Sequence, residues 1–177
     1  MRMLRLLLIV LFLTPGQVFC QDSGEGPSDF RGIRLGMTLA EVKEKLLDDP
    51  FFDYRGDPDV SFLPVPEQTL IDCRGNSYLD RASFQFHEDR LYIMILALDR
   101  DTLDYYTLYT TLTEKYGETT SLSPTEAVWV FPSLRLALEK PLSVKYIDRE
   151  VFALLQEAGK AQESLRDFSK ERFLELF

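Results

Sequence analysis

Residues Arg81–Leu98, reading RASFQFHEDRLYIMILAL, decide the fold. Over Arg81–Phe86 the residues alternate, so Ala82, Phe84 and Phe86 fall on one face of an extended strand. His87-Glu88-Asp89-Arg90 has the polar composition of a hairpin turn. The return stretch, Leu91–Leu98, is apolar on both faces. A strand of that kind belongs at the centre of a sheet with something covering each side. The first expectation is therefore an antiparallel sheet layered with helices, an α+β fold.

Working upstream, Thr38 and Glu41 have the spacing of a capping box, and Met37 and Val42 that of a hydrophobic staple. They open a helix, Leu39–Asp48, that presents Leu39, Val42 and Leu46 to one side and stops at Asp49-Pro50. Short extended pieces follow, Val60–Leu63 and Thr69–Cys73, with a turn at Arg74-Gly75-Asn76. Downstream, Asp101 is the expected cap of a helix running to Tyr116, with Tyr105, Leu108, Tyr109 and Leu112 at helical spacing and Gly117 as its stop. Ala127–Phe131 and Leu134–Leu138 read as a second hairpin, and Leu142–Ile147 as a further strand. From Arg149 the stripe Val151, Leu154, Leu155, Ala158, Ala161, Leu165, Phe168 and Leu176 marks a long C-terminal helix, assigned to residues 148–177 and reaching roughly 40 Å at 1.5 Å per residue. The domain proper is placed at residues 30–147. Its two stretches, 30–98 and 99–147, share one order of helix then hairpin; a diverged duplication is one reading, although their sequence identity is too low to assert it.

Phe30–Leu47 carries a family likeness. GIRLGMTLAEVKEKL resembles the I-x-x-GMT-x-x-x-V start of the BamE (SmpA/OmlA) envelope lipoproteins and related small exported domains. The later ASFQFHEDRLYIMIL is similar to the L-x-F-x-x-x-x-L strand of that pattern. The match covers Ile33–Leu46 closely and Ala82–Ile95 loosely. The β-lactamase inhibitory protein, with two such units in tandem, is similar in plan. The resemblance implies a helix packed on an antiparallel sheet, and it suggests envelope assembly. It differs from BamE in having one leading helix instead of two, and it transfers no functional residue.

Residues 1–20, MRMLRLLLIVLFLTPGQVFC, have the form of an export signal. Arg2 and Arg5 precede the apolar run Leu6–Leu13, and Thr14-Pro15-Gly16 breaks it. The run is about half of what a membrane-crossing helix needs. Its end has three readings: cleavage after Cys20, cleavage after Gly16, or lipid modification of Cys20 as in bacterial lipoproteins. Phe19 and Gln17 sit poorly in the lipoprotein pattern, so cleavage is preferred, with residues 21–29 a flexible leader. The expected location is the periplasm or cell envelope, with membrane attachment only through a lipidated Cys20.

The chain carries a net charge of −9, and loss of residues 1–20 removes two Arg and no acid, leaving 18 basic against 29 acidic residues, or −11. Dispersed acids without a basic block argue against nucleic acid and anionic membrane surfaces as partners. Cys73 shares a strand face with Ile71 and reads as a buried small hydrophobe. His87, the only histidine, falls in a hairpin turn, and no nucleophile elbow, phosphate loop or zinc set occurs, so neither catalysis nor a cofactor is expected. Asp57-Pro58-Asp59 resembles the start of a calcium loop but lacks the Gly and the bidentate Glu.

Aromatic residues are the remaining lead. Phe51, Phe52 and Tyr54 cluster in a proline-interrupted region, and Phe168, Phe173 and Phe177 mark the C-terminal helix. These six are the candidate contacts to a partner, against a plainer reading as local core. The expected function is that of an exported envelope protein without catalytic activity, acting by protein–protein contact in assembly or scaffolding, with an envelope protein as partner. The alternative is an extracytoplasmic ligand-binding or inhibitor domain that uses the concave side of its sheet. Converging carboxylates would favour an enzyme, a hydrophobic cleft a ligand, and an exposed apolar helix face a partner.

Overall fold

The computed structural model describes residues 26, 27, 29–62 and 67–160. An antiparallel sheet of nine strands carries the structure. The chain enters through a small ribbon of two strands, β1 (Asp29–Phe30) and β2 (Ile33–Arg34). It continues through α1 (Leu39–Asp48), β3 (Phe52–Asp53), a 3-10 turn at Asp57–Asp59 and β4 (Val60–Phe62). A three-strand meander follows: β5 (Gln68–Gly75), β6 (Leu79–His87) and β7 (Arg90–Leu98). The order then repeats with α2 (Tyr105–Tyr116), β8 (Ser121–Leu122), β9 (Glu126–Val130), β10 (Leu134–Glu139) and β11 (Ser143–Asp148). A further helix, α3, starts at Arg149 and continues to residue 160, the last one described, so the remainder of the expected 148–177 helix lies outside the described residues.

Spatial order explains why Leu91–Leu98 is apolar on both faces. The strands lie as β3-β5-β6-β7-β11-β10-β9-β8, with β4 beside β3 on the outer edge of β5. Each half is a helix followed by a meander, and the last strands of the two meanders, β7 and β11, pair with each other. The topology is thus two-fold symmetric about that pair, with short strands guarding both outer edges.

Register aligns two buried rows across six strands. Ile71, Phe84, Met94, Tyr146, Leu136 and Trp129 form one, and Cys73, Ala82, Leu96, Val144, Leu138 and Ala127 the other. All twelve are buried in a core that also takes Val42 and Leu46 from α1 and Leu112 from α2. Each Leu- or Phe-sized side chain so buried contributes roughly 1.5–3 kcal/mol over an exposed one. Both helices therefore share one face of the sheet.

The opposite face is divided. Near the centre, Tyr92, Ile93 and Ile147 form a small cluster covered by Val151 and Leu155 of α3. Elsewhere it carries the cross-strand ion pairs Arg81–Asp72, Lys145–Glu139 and Arg135–Glu126, with the buried pair Val128 and Ala137 among them. Central strands apolar on both faces, with alternation restored toward the edges, follow from that arrangement.

Several boundaries differ from the sequence expectation. α2 is capped by Asp104, not Asp101: its carboxylate accepts the Thr107 N–H at 2.9 Å and the Thr107 hydroxyl at 2.6 Å. Asp99 takes the Asp101 N–H instead, at 2.8 Å, and turns the chain before the helix starts. Asp29 pairs in β1 and Pro27 is already buried, so ordered chain begins ahead of residue 30. The capping box of α1 is present as expected, with reciprocal bonds between Thr38 and Glu41.

Candidate functional site

An apolar cleft of about 370 Å³ opens where the two halves of the chain meet. The first half supplies Phe30, Arg31, Phe51, Tyr78, Leu79 and Leu98, and the second Leu103 and Leu108. Local structure places each of them. Gly32 at φ 79° turns the β1–β2 ribbon and presents Phe30 and Arg31. The tight connection from β5 to β6 carries Tyr78, held by a hydrogen bond from the Asp99 N–H to the Tyr78 carbonyl at 2.9 Å. A Cβ on Gly75 would collide with the Leu79 backbone, so glycine is required where that connection begins. The Asp99 turn that displaces the start of α2 brings Leu103 and then Leu108 to the cleft.

The mouth is aromatic. Tyr78 is 55% exposed. The Arg31 guanidinium lies 4.1 Å from the centroid of the Phe51 ring and donates to Asp49. Burial raises the Asp49 carboxyl, but the Arg31 bond and the Phe51 N–H outweigh it and hold its pKa below the usual carboxylate value. Arg31 is therefore an answered charge over an aromatic face, an arrangement worth about 0.5–1 kcal/mol where exposed.

Of the residues singled out in the sequence, the structure brings Phe51 to this cleft. Phe52 and Tyr54 turn inward: Phe52 packs edge-on against Phe30 and Phe84, and Tyr54 is in the core. Alternation along β3 explains the split, since 51 and 53 point one way and 52 and 54 the other. Phe168, Phe173 and Phe177 lie outside the described residues. Phe30, Tyr78, Leu98, Leu103 and Leu108 were not singled out, because each reads locally as ordinary core or turn.

A second depression, about 510 Å³, is polar and lies beside β5 and β6, lined by Arg55, Asp72, Arg74, Asp80 and Arg81 with Cys73 and Gly75. Its charges largely answer each other. Arg55 donates through its backbone N–H and its guanidinium to Asp59, which is 4% exposed. Arg81 donates to Asp72, which also accepts from Ser83. Burial pushes the Cys73 thiol up to about 12, reinforced by Asp59 and Asp72, so it stays protonated at neutral pH. His87 ends β6, and the turn itself is Glu88-Asp89, both at positive φ. No group of three or more His, Cys, Asp or Glu side chains suited to a metal occurs among the described residues. Nor is any described helix long and apolar enough to cross a membrane.

Fold and cleft together define an α+β domain of two helix-and-meander halves sharing one sheet, with an apolar cleft at their junction. Within that class the chain belongs to the TP0088 domain family, whose model matches residues 28–158. No curated protein and no solved structure matches it.

Proposed function

We propose that this is an exported cell-envelope protein without catalytic activity that works by protein–protein contact, in assembly or scaffolding. The observation that carries the reading is the apolar cleft with Phe51, Tyr78 and Arg31 at its mouth, since Tyr, other aromatics and Arg are the residue types that anchor interfaces. Exposed apolar side chains on the helices add to it: Tyr106 on α2 and Phe152 and Leu154 on α3. The export-like residues 1–20 support the location, and the likeness of Ile33–Leu46 to the BamE start fits an envelope role.

The test places a photo-crosslinking amino acid at Tyr78 in intact cells. A discrete adduct with an envelope protein, absent when the probe sits at exposed Glu44 on α1, is the expected result. A clean monomer with no adduct would overturn the reading. The alternative, a small-ligand binding domain, is favoured by the same cleft, whose volume lies at the low end of the roughly 300–1,000 Å³ usual for ligand sites. Co-purification of a small apolar molecule lost in Leu108→Ser would support that alternative.

A further inference from the structure

We propose that the occupant of the cleft is an extended segment of another protein that presents one or two large apolar side chains flanked by Lys or Arg. This rests on the contact reading above and names the chemistry of the partner. About 370 Å³, lined by Leu79, Leu98, Leu103 and Leu108 and opening beside an exposed Tyr78, suits protruding side chains better than a whole helix.

Charge around the cleft selects the flanks. The segment from Leu98 to Leu108, of which Leu98, Leu103 and Leu108 line the cleft, also holds Asp99, Asp101 and Asp104 against one base, Arg100. Asp104 is held in its charged form by Thr107, whose hydroxyl and backbone N–H both donate to it, so its pKa lies below the usual carboxylate value. Asp101 is exposed, and its side chain has no polar partner among the described residues. On the facing wall, Arg31 is already answered by Asp49. The one charged residue of the lining is thus paired, and the segment that supplies Leu98, Leu103 and Leu108 has an excess of negative charge, in a chain that is itself acidic. An incoming carboxylate, whether of a fatty acid or of an acidic peptide, would meet repulsion there, and a flanking Lys or Arg would meet attraction.

The test titrates the protein with three probes: a fluorescein-labelled peptide of Lys residues around two Phe, its counterpart with Glu for Lys, and oleate. Binding is read by anisotropy and mapped by amide NMR shifts. The Lys–Phe peptide is expected to saturate, to shift amides at Phe51, Tyr78 and Leu98–Leu108, and to weaken as salt rises. Asp101→Lys, which removes an exposed carboxylate and leaves the cap intact, is expected to weaken it about 3- to 10-fold at low salt. Tyr78→Ser, at an exposed position that does not risk the fold, is expected to weaken it at all salt concentrations. Equal or tighter binding of the Glu peptide, displacement by oleate, or shifts confined to other surfaces would overturn the inference. Because the crosslinking experiment asks only whether a protein occupies the cleft, an adduct there combined with a preference for the Glu peptide would sink this inference and leave the contact reading standing.

Discussion

Leu96 on β7 lies directly opposite Val144 on β11, and this pair, with Met94 against Tyr146 beside it, joins the two halves of the sheet. Leu96 is 1% exposed and Val144 is 5% exposed. Neither half can keep its central strand covered without the other. Leu96→Ala should therefore cost about 2–5 kcal/mol. It should also do so for the whole molecule in one step. Urea unfolding followed by Trp129 fluorescence, which reports the second half, and by far-UV circular dichroism should give coincident transitions, both shifted to lower urea. Separated transitions would show that the halves unfold independently.

Trp129 ties the second half together differently. Its indole N–H donates to the Gly117 carbonyl at 2.9 Å, and Gly117 ends α2 at φ 83°. Open space surrounds the place where a Cβ would sit, so the cost of Gly117→Ala is conformational alone. The expected loss is roughly 1–3 kcal/mol, because φ 83° with ψ −169° lies in a backbone region that is essentially restricted to glycine. Near-UV dichroism of Trp129 should change little, since the carbonyl it binds keeps its place.

Asp59 sets an acid limit on stability. Burial by itself raises its carboxyl, but the guanidinium and backbone N–H of Arg55 outweigh that and hold it below its ordinary value of 3.8. A group with a depressed folded pKa stabilises fully above the unfolded value and loses that contribution as pH falls through the folded one. Asp59→Asn should thus be destabilised at pH 7 by about 1–3 kcal/mol, the range for a buried hydrogen-bonding group left poorly satisfied. The gap to wild type should begin to close as pH falls below about 3.8, where the unfolded chain's carboxyl takes up a proton, and finish closing only below the lower folded pKa. Thermal melts at pH 7, 5 and 3 measure it; a gap that stays constant with pH would rule out the charged pair as its source.

Much of the fold was legible because its signals are local. Thr38 and Glu41 lie three residues apart, and α1 runs over the expected Leu39–Asp48. The parity of Ala82, Phe84 and Phe86 gave a strand face, and the double-sided run after it gave a central position. Asp101 and Asp104 both had cap chemistry, and the choice turned on Asp99, whose carboxylate claims the Asp101 N–H. Strands of two residues, such as β3 and β8, are too short for any period to show. Of the cleft only Phe51 was legible, as an aromatic in a proline-interrupted region: Phe30, Tyr78, Leu98 and Leu108 come from four other segments, and nothing within any one of them marks its residue as part of a surface.

Cys73 should behave as core. It is 3% exposed, and its thiol is pushed up to about 12 by burial with help from nearby carboxylates. Thiolate is the reactive form, so at pH 8 a Cys20→Ser protein should react with an aromatic disulfide reagent only as fast as it opens. The rate should rise steeply across the unfolding transition in urea. Rapid stoichiometric labelling of the native protein would contradict the burial.

The attachment of α3 gives the last prediction. Val151 and Leu155 cover a cluster of only three buried residues, Tyr92, Ile93 and Ile147, while Asp148 caps the helix by accepting the N–H groups of Glu150 and Val151 at 2.9 and 3.0 Å. Elements with few buried apolar contacts open at lower free energy than the core. Leu155→Asp puts a charge into that cluster and should detach the helix without unfolding the sheet, because the two buried rows on the other face do not depend on it. Hydrogen exchange should then lose protection across residues 149–160 and keep it at Met94, Leu96 and Leu136. Global loss of protection would mean that the small cluster supports the central strands from behind, making the outer face as essential to the fold as the inner one.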